Sequence, residues 1–194
     1  MLTKLRSYVK VYLEKIGFKI ARTGIKPNHI TSLSLMFAFL AFVSIAYFSR
    51  VSWFILFIIL SGLMDVLDGA VARASGNVTR FGGFLDSTLD RFSDALFIIS
   101  LLYMGFGILD VFSLLIFSFM ISYSRAKAES LNIKMEGVGI IERGERLLFI
   151  FLIAFFVYLG FFNVSLFLFY TLLALSILTV LQRIIHVYKE TRQT

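Results

Sequence analysis

Apolar stretches of about 20 residues recur along the whole of this 194-residue chain, and each is long enough to cross a bilayer's ~30 Å hydrocarbon core as a helix. Six are read, over residues 29–48, 53–73, 82–106, 109–130, 143–161 and 164–188. Hydrocarbon offers backbone N–H and C=O groups no partners, so segments of this length satisfy themselves as helices. A mean hydropathy of +0.88 and 23 phenylalanines exceed what a water-soluble domain carries. The fold class expected is therefore an all-α integral membrane protein with six transmembrane helices.

The first 27 residues follow a different pattern. Leu5, Val9, Tyr12, Leu13, Ile16 and Ile20 recur at helical spacing with Lys4, Arg6, Lys10, Lys15, Lys19 and Arg22 between them. This predicts an amphipathic helix lying in the headgroup layer. The apolar core and small-residue cleavage site of a signal peptide are missing from it. The expected organisation is thus a juxtamembrane helix over residues 1–27 followed by a six-helix transmembrane domain over 28–190.

The absence of cysteine removes disulfides and thiolate metal sites. A net charge of +7 is compatible with nucleic-acid binding, but its distribution is not. Of the nineteen Lys and Arg residues, only Arg50 falls in a turn on one side of the expected topology; the rest collect at the opposite side. By the positive-inside rule both termini are cytoplasmic, in a multi-pass protein of the cell membrane, and no nucleic-acid partner is expected.

Against this apolar background, four carboxylates stand between Asp65 and Asp90. Asp65, Asp68, Gly69, Ala72 and Arg73 fall at i, i+3, i+4, i+7 and i+8, one face of the second helix. Gly82, Asp86, Asp90 and Asp94 repeat every four residues on one face of the third. A short polar turn over residues 74–80 joins them, which predicts antiparallel neighbours whose acidic faces meet at the cytoplasmic interface. Converging carboxylates repel and take up protons unless a cation neutralises them. Magnesium suits oxygen ligands and keeps places for substrate phosphates, and two such ions are able to clamp a diphosphate.

The run Asp65-x2-Asp68-Gly69-x2-Ala72-Arg73-x8-Gly82-x3-Asp86-x3-Asp90 resembles the complete signature of the CDP-alcohol phosphotransferase family, with eight specified positions in 26 residues. The segment from Gly24 to Thr31 is similar to the one that leads this family's first membrane helix. The resemblance implies displacement of CMP from a CDP-activated lipid, CDP-diacylglycerol or CDP-archaeol, by the hydroxyl of a second alcohol. It further implies Mg2+ or Mn2+, as two ions, on Asp65, Asp68, Asp86 and Asp90, with Asp90 also the general base. Thr31, Asp65, Asp68, Gly69, Ala72, Arg73 and Gly82 would bind the cytidine diphosphate. Asp94 lies outside the signature and is read as a support behind the site or as a helix-packing group. The family also implies a homodimer among membrane lipids.

A second cluster bears on the acceptor. Ser122, Arg125, Arg143, Arg146 and Arg183 all fall on the side that holds the aspartates. Arginine offers paired donors that match phosphate oxygens, so the acceptor expected is a phosphorylated polyol. The pattern resembles the family's inositol-phosphate branch, in which inositol 1-phosphate is joined to a lipid; Arg125 stands where that branch is expected to carry lysine. The bland reading is helix-surface ion pairing, because Arg125 with Glu129 and Glu142 with Arg146 sit at i, i+4. Glycerol 3-phosphate is the alternative acceptor. A cation transporter is the alternative class, but no inverted repeat or broken helix accompanies the acids.

Overall fold

The computed structural model describes residues 13, 15–76 and 78–192. It is helical throughout: α1 (Pro27–Ala46), α2 (Val51–Ser75), α3 (Arg80–Ser100), α4 (Ile108–Ser130), α5 (Arg143–Tyr158) and α6 (Phe162–Arg192), with a 3-10 turn at Leu101–Met104. Among the described residues, these six helices fall in the stretches where the six membrane spans were expected. Four of them, α1, α2, α4 and α6, are long and apolar enough to cross a membrane. Helix α3 fails that measure because Arg80, Asp86, Asp90, Arg91 and Asp94 dilute its apolar surface, and α5 because it has 16 residues and opens on Arg143.

Several helix ends differ from expectation. The third helix was read through Phe106, but α3 closes at Ser100 and the chain tightens into the 3-10 turn, stopped by Gly105 at φ 97°. Leu101 to Met104 are all apolar, so hydropathy carries no mark of the change. Helix α5 ends three residues before the expected Phe161, and α6 runs four residues past Tyr188.

Helix α1 begins with Pro27 in its first turn, where a missing N–H costs nothing. Its small residues Ser34, Ala38 and Ala41 are buried and let α2 and α3 approach closely. The Ser34 hydroxyl donates to the Ser61 carbonyl of α2 at 2.9 Å, satisfying a polar group at membrane depth. Phe54 of α2 and Phe97 of α3 are fully buried and meet edge-on, their ring centroids 6.1 Å apart. Helices α4, α5 and α6 form the other half, α5 and α6 joined by the Ser165 hydroxyl on the Ile153 carbonyl at 3.0 Å. The halves meet where α5 packs on α2 and α4 on α3.

The expectation that α2 and α3 are close neighbours needs correction. Gly76, left-handed at φ 67°, ends α2, and Thr79 caps α3 by accepting the Gly82 N–H at 2.9 Å, so the turn is tight. The two helices nonetheless pack mainly against α1 rather than each other. Their acidic side chains converge across the gap, and mutual repulsion is a reason for backbones carrying those acids to stand apart.

About half of the expected amphipathic helix, residues 1–12 and 14, lies outside the described residues. Residues 15–21 are helical, and Leu13, Ile20 and Ala21 pack against Ile30, Leu67 and Val71. A Cβ at Gly17 would stand 2.8 Å from the Ala70 carbonyl carbon, so glycine permits direct backbone contact with α2. Outward-facing Phe39, Trp53, Ile59, Phe112, Ile116 and Phe167 remain exposed and apolar, as a lipid-facing surface requires.

Candidate active site

Asp65, Asp68 and Asp86 each offer a carboxylate oxygen, and the three oxygens lie within 4.8 Å of one another. Asp68 is buried, and its Oδ2 has no hydrogen-bond partner. The Thr31 hydroxyl lies beside this carboxylate but donates to the Pro27 carbonyl at 3.2 Å. An unpartnered buried carboxylate oxygen among two further carboxylates is costly unless a cation completes it. The donor set is all oxygen, which fits a hard divalent ion such as Mg2+ or Mn2+.

Asp90 stands one turn beyond Asp86 and outside that compact trio. Two of its partners are cationic, Arg143 Nη2 at 3.0 Å from Oδ1 and Arg91 Nη1 at 3.7 Å from Oδ2, and its carboxyl group also lies within hydrogen-bonding reach of Asp65. Arg143 opens α5 and also reaches Asp65 with Nη1 at 2.7 Å and Asp94 with Nε at 3.3 Å. Arg146, one turn further, donates from Nη2 to Asp94 at 2.8 Å, and its Nε has no partner. The expected i, i+4 pair of Glu142 with Arg146 is not the one made. Glu142 is the N-cap, in extended conformation off the helix face, and its N–H is taken by the Glu145 carboxylate at 3.0 Å. Arg125 and Glu129 do pair, at 2.9 Å.

Two cavities flank the acidic face of α3. The smaller, about 360 Å³, is lined by Thr31, Asp68, Gly69, Ala72, Arg73 and Gly82, together with Asp86. It thus gathers all of the residues expected to hold the cytidine diphosphate except Asp65. The larger, about 700 Å³, lies between α3 and α4 and is lined by Asp90, Arg91, Ser122, Arg125, Glu129 and Arg143 among others. Ser122, Arg125 and Arg143 of the expected acceptor set are therefore together at this cavity.

Arg146 and Arg183 are buried behind it. Arg183 Nε donates to the Val138 carbonyl at 3.0 Å and Nη1 to the Ile121 carbonyl. Its guanidinium lies within electrostatic reach of those of Arg125 and Arg146, a concentration of positive charge that favours an anion. Asp94, Arg91 and Thr79 also belong to this constellation. The fourfold spacing of the α3 acids pointed to Asp94; nothing in the local pattern marked Arg91 or Thr79.

Fold and site together define a membrane-embedded helical enzyme, with a carboxylate cluster suited to divalent ions between a pocket lined by small residues and Arg73 and an arginine-rich one. The chain belongs to the CDP-alcohol phosphatidyltransferase family, whose model matches residues 25–187. It is 42% identical over 157 residues to the archaetidylinositol phosphate synthase of Pyrococcus horikoshii, covering 80% of this chain and 83% of that one. Among solved structures it resembles the phosphatidylinositol phosphate synthase of Mycobacterium tuberculosis with CDP-DAG bound, with a TM-score of 0.79 and 28% identity, over 91% of this chain and 93% of that one. The same synthase in complex with manganese and citrate gives a TM-score of 0.78 at 28% identity, covering 91% and 88%.

Proposed function

We propose that this enzyme transfers a phosphatidyl-type group from a CDP-activated lipid to inositol 1-phosphate, releasing CMP. The observation that carries the reading is the pair of cavities on either side of the α3 acids. One presents small residues and Arg73 beside the metal-type carboxylates; the other presents Arg125 and Arg143 in front of Arg146 and Arg183. The inositol-phosphate acceptor draws further support from the relatives, whose names describe inositol phosphate lipids as products.

In this reading the donor's cytidine diphosphate occupies the smaller cavity, against Thr31, Gly69, Ala72, Arg73 and Gly82. Asp65, Asp68 and Asp86, with Asp90 adjoining, hold the Mg2+ or Mn2+ ions, which when bound neutralise the diphosphate. The acceptor lies in the larger cavity with its phosphate toward Ser122, Arg125, Arg143, Arg146 and Arg183; the unpartnered Arg146 Nε is a donor available for it. Asp90, which lines this cavity, takes the proton of the attacking hydroxyl. The acceptor oxygen bonds to the β-phosphorus, the bond from that phosphorus to the bridging oxygen breaks, and CMP leaves with that oxygen.

All six helices cross the membrane in this reading: the acids that exclude α3 on composition face the site rather than lipid, and α5, excluded by its 16 residues, carries its charges at the end that meets the site. The amino-terminal segment lies at the cytoplasmic interface, as do both termini and the site, following the distribution of Lys and Arg. Residues 28–190 form the catalytic domain, which works as a homodimer.

A test is to supply the purified protein with CDP-lipid and Mg2+, then inositol 1-phosphate, glycerol 3-phosphate, serine or free inositol in turn. Release of CMP with inositol 1-phosphate is expected. Release with glycerol 3-phosphate alone would overturn the acceptor assignment.

A further inference from the structure

We propose that Asp94 is a positioning residue of the reaction: it anchors Arg143 and Arg146 of α5 against α3, so that Arg143 fixes the Asp90 carboxylate that receives the acceptor's proton. The inference rests on the base role just given to Asp90.

The Arg143 guanidinium divides its three nitrogens among three carboxylates: Nη1 to Asp65 at 2.7 Å, Nη2 to Asp90 at 3.0 Å and Nε to Asp94 at 3.3 Å. Two of these acids face the site. Asp94 does not; unlike Asp65 it stands outside the carboxylate trio, and unlike Asp90 it lines neither cavity, is buried, and spends its other oxygen on Arg146 Nη2 at 2.8 Å. A planar guanidinium held at its Nε edge has one orientation left for its fork, and that fork spans Asp65 of α2 and Asp90 of α3. Helices α3 and α5 touch sparingly elsewhere, so these ion pairs set how α5 stands against α3. The same anchor sets Arg146, whose free Nε serves the acceptor phosphate in the reading above. One buried carboxylate thereby aligns the base and an acceptor contact together.

A purely structural Asp94, neutralising two buried arginines, would affect stability and leave the turnover of folded enzyme alone. The test compares Asp94→Asn, Asp94→Glu and Arg143→Lys, each purified in detergent, by melting temperature, kcat, and the KM for donor and acceptor. Arg143→Lys keeps the charge but loses the fork, and Asp94→Glu keeps the charge but displaces the anchor by a methylene. Positioning predicts that variants melting like the parent lose kcat on the order of 10–100-fold, as supporting carboxylates behind functional groups do, with a raised acceptor KM and an unchanged donor KM. Parent-like kcat in Arg143→Lys and Asp94→Glu would overturn it. So would a loss confined to donor KM. Should Asp94→Asn fail to fold, the two charge-conserving variants decide alone. A parent enzyme inactive with every acceptor would instead refute the functional reading, so the two failures are distinct.

Discussion

Arg183 Nε on α6 donates to the Val138 carbonyl, 45 residues earlier, at 3.0 Å. Around this contact α6 presents Thr179, Arg183 and His186 at i, i+4 and i+7. Thr179 Oγ1 accepts the Ile141 N–H at 3.2 Å, and His186 Nε2 faces the Lys134 carbonyl at 3.1 Å. With 31 residues, α6 is ~46 Å long and outruns a ~30 Å bilayer core. Its surplus turns hold the connection between α4 and α5, and with it the start of α5 that carries Arg143 and Arg146.

Arg183→Ala strips two buried carbonyls of a charged donor. A loss of about 2–3 kcal/mol is expected, read as a lower Tm in detergent, together with a raised KM for the phosphorylated acceptor. Arg183→Lys should recover part of the stability, since an ammonium reaches one carbonyl more readily than two.

Asp90→Asn keeps the size of the side chain and removes its capacity to take a proton. Turnover should fall by roughly 100- to 10,000-fold, the usual worth of a general base. Manganese binding, followed by electron paramagnetic resonance, should persist because Asp65, Asp68 and Asp86 remain. Turnover near the parent's would remove Asp90 from the base role.

Asp68→Asn attacks the metal site itself. The Asp68 Oδ2, without a protein partner, is the oxygen most in want of a cation. Supporting groups around metal ligands are worth 10–100-fold in affinity, so loss of a ligand should weaken manganese binding by more than about 100-fold. A chelator should likewise abolish turnover of the parent, and added Mg2+ or Mn2+ restore it.

Gly82→Ala tests the smaller cavity. A Cβ there would stand 3.0 Å from Thr79 Oγ1 and 3.4 Å from Asn28 Oδ1, both on the cavity wall. Thr79 also caps α3 through the Gly82 N–H and cannot withdraw freely. The donor KM should rise about tenfold, a cost of ~1.4 kcal/mol, with the acceptor KM unchanged.

Much of this architecture was legible because its determinants are periodic. Apolar runs marked the helices, and the i, i+4 acids of α3 with Asp65 and Asp68 on α2 marked the shared face. What escaped was tertiary. Asp94 and Arg143 are separated by 49 residues, so no local spacing announces that one guanidinium ties three acids. Arg146 has Glu142 at helical spacing, yet the extended backbone of Glu142 takes it off the face and Asp94 takes its place. The docking of α4 and of the α4–α5 connection on α6 depends on backbone carbonyls at Ile121 and Val138, which side-chain patterns do not encode. Nor does the turn between α2 and α3 reveal that α1 wedges them apart, leaving room for ions between their carboxylates.

The central claim is that Asp65, Asp68 and Asp86 together hold the divalent ions that grip the donor's diphosphate. Anomalous diffraction at the manganese edge, from crystals grown with Mn2+ and CDP-lipid, tests it most directly. The account predicts anomalous peaks bounded by these three carboxylates and contacting the diphosphate, with Asp90 alongside. Manganese found only elsewhere, with the diphosphate bound away from the three acids, would contradict it.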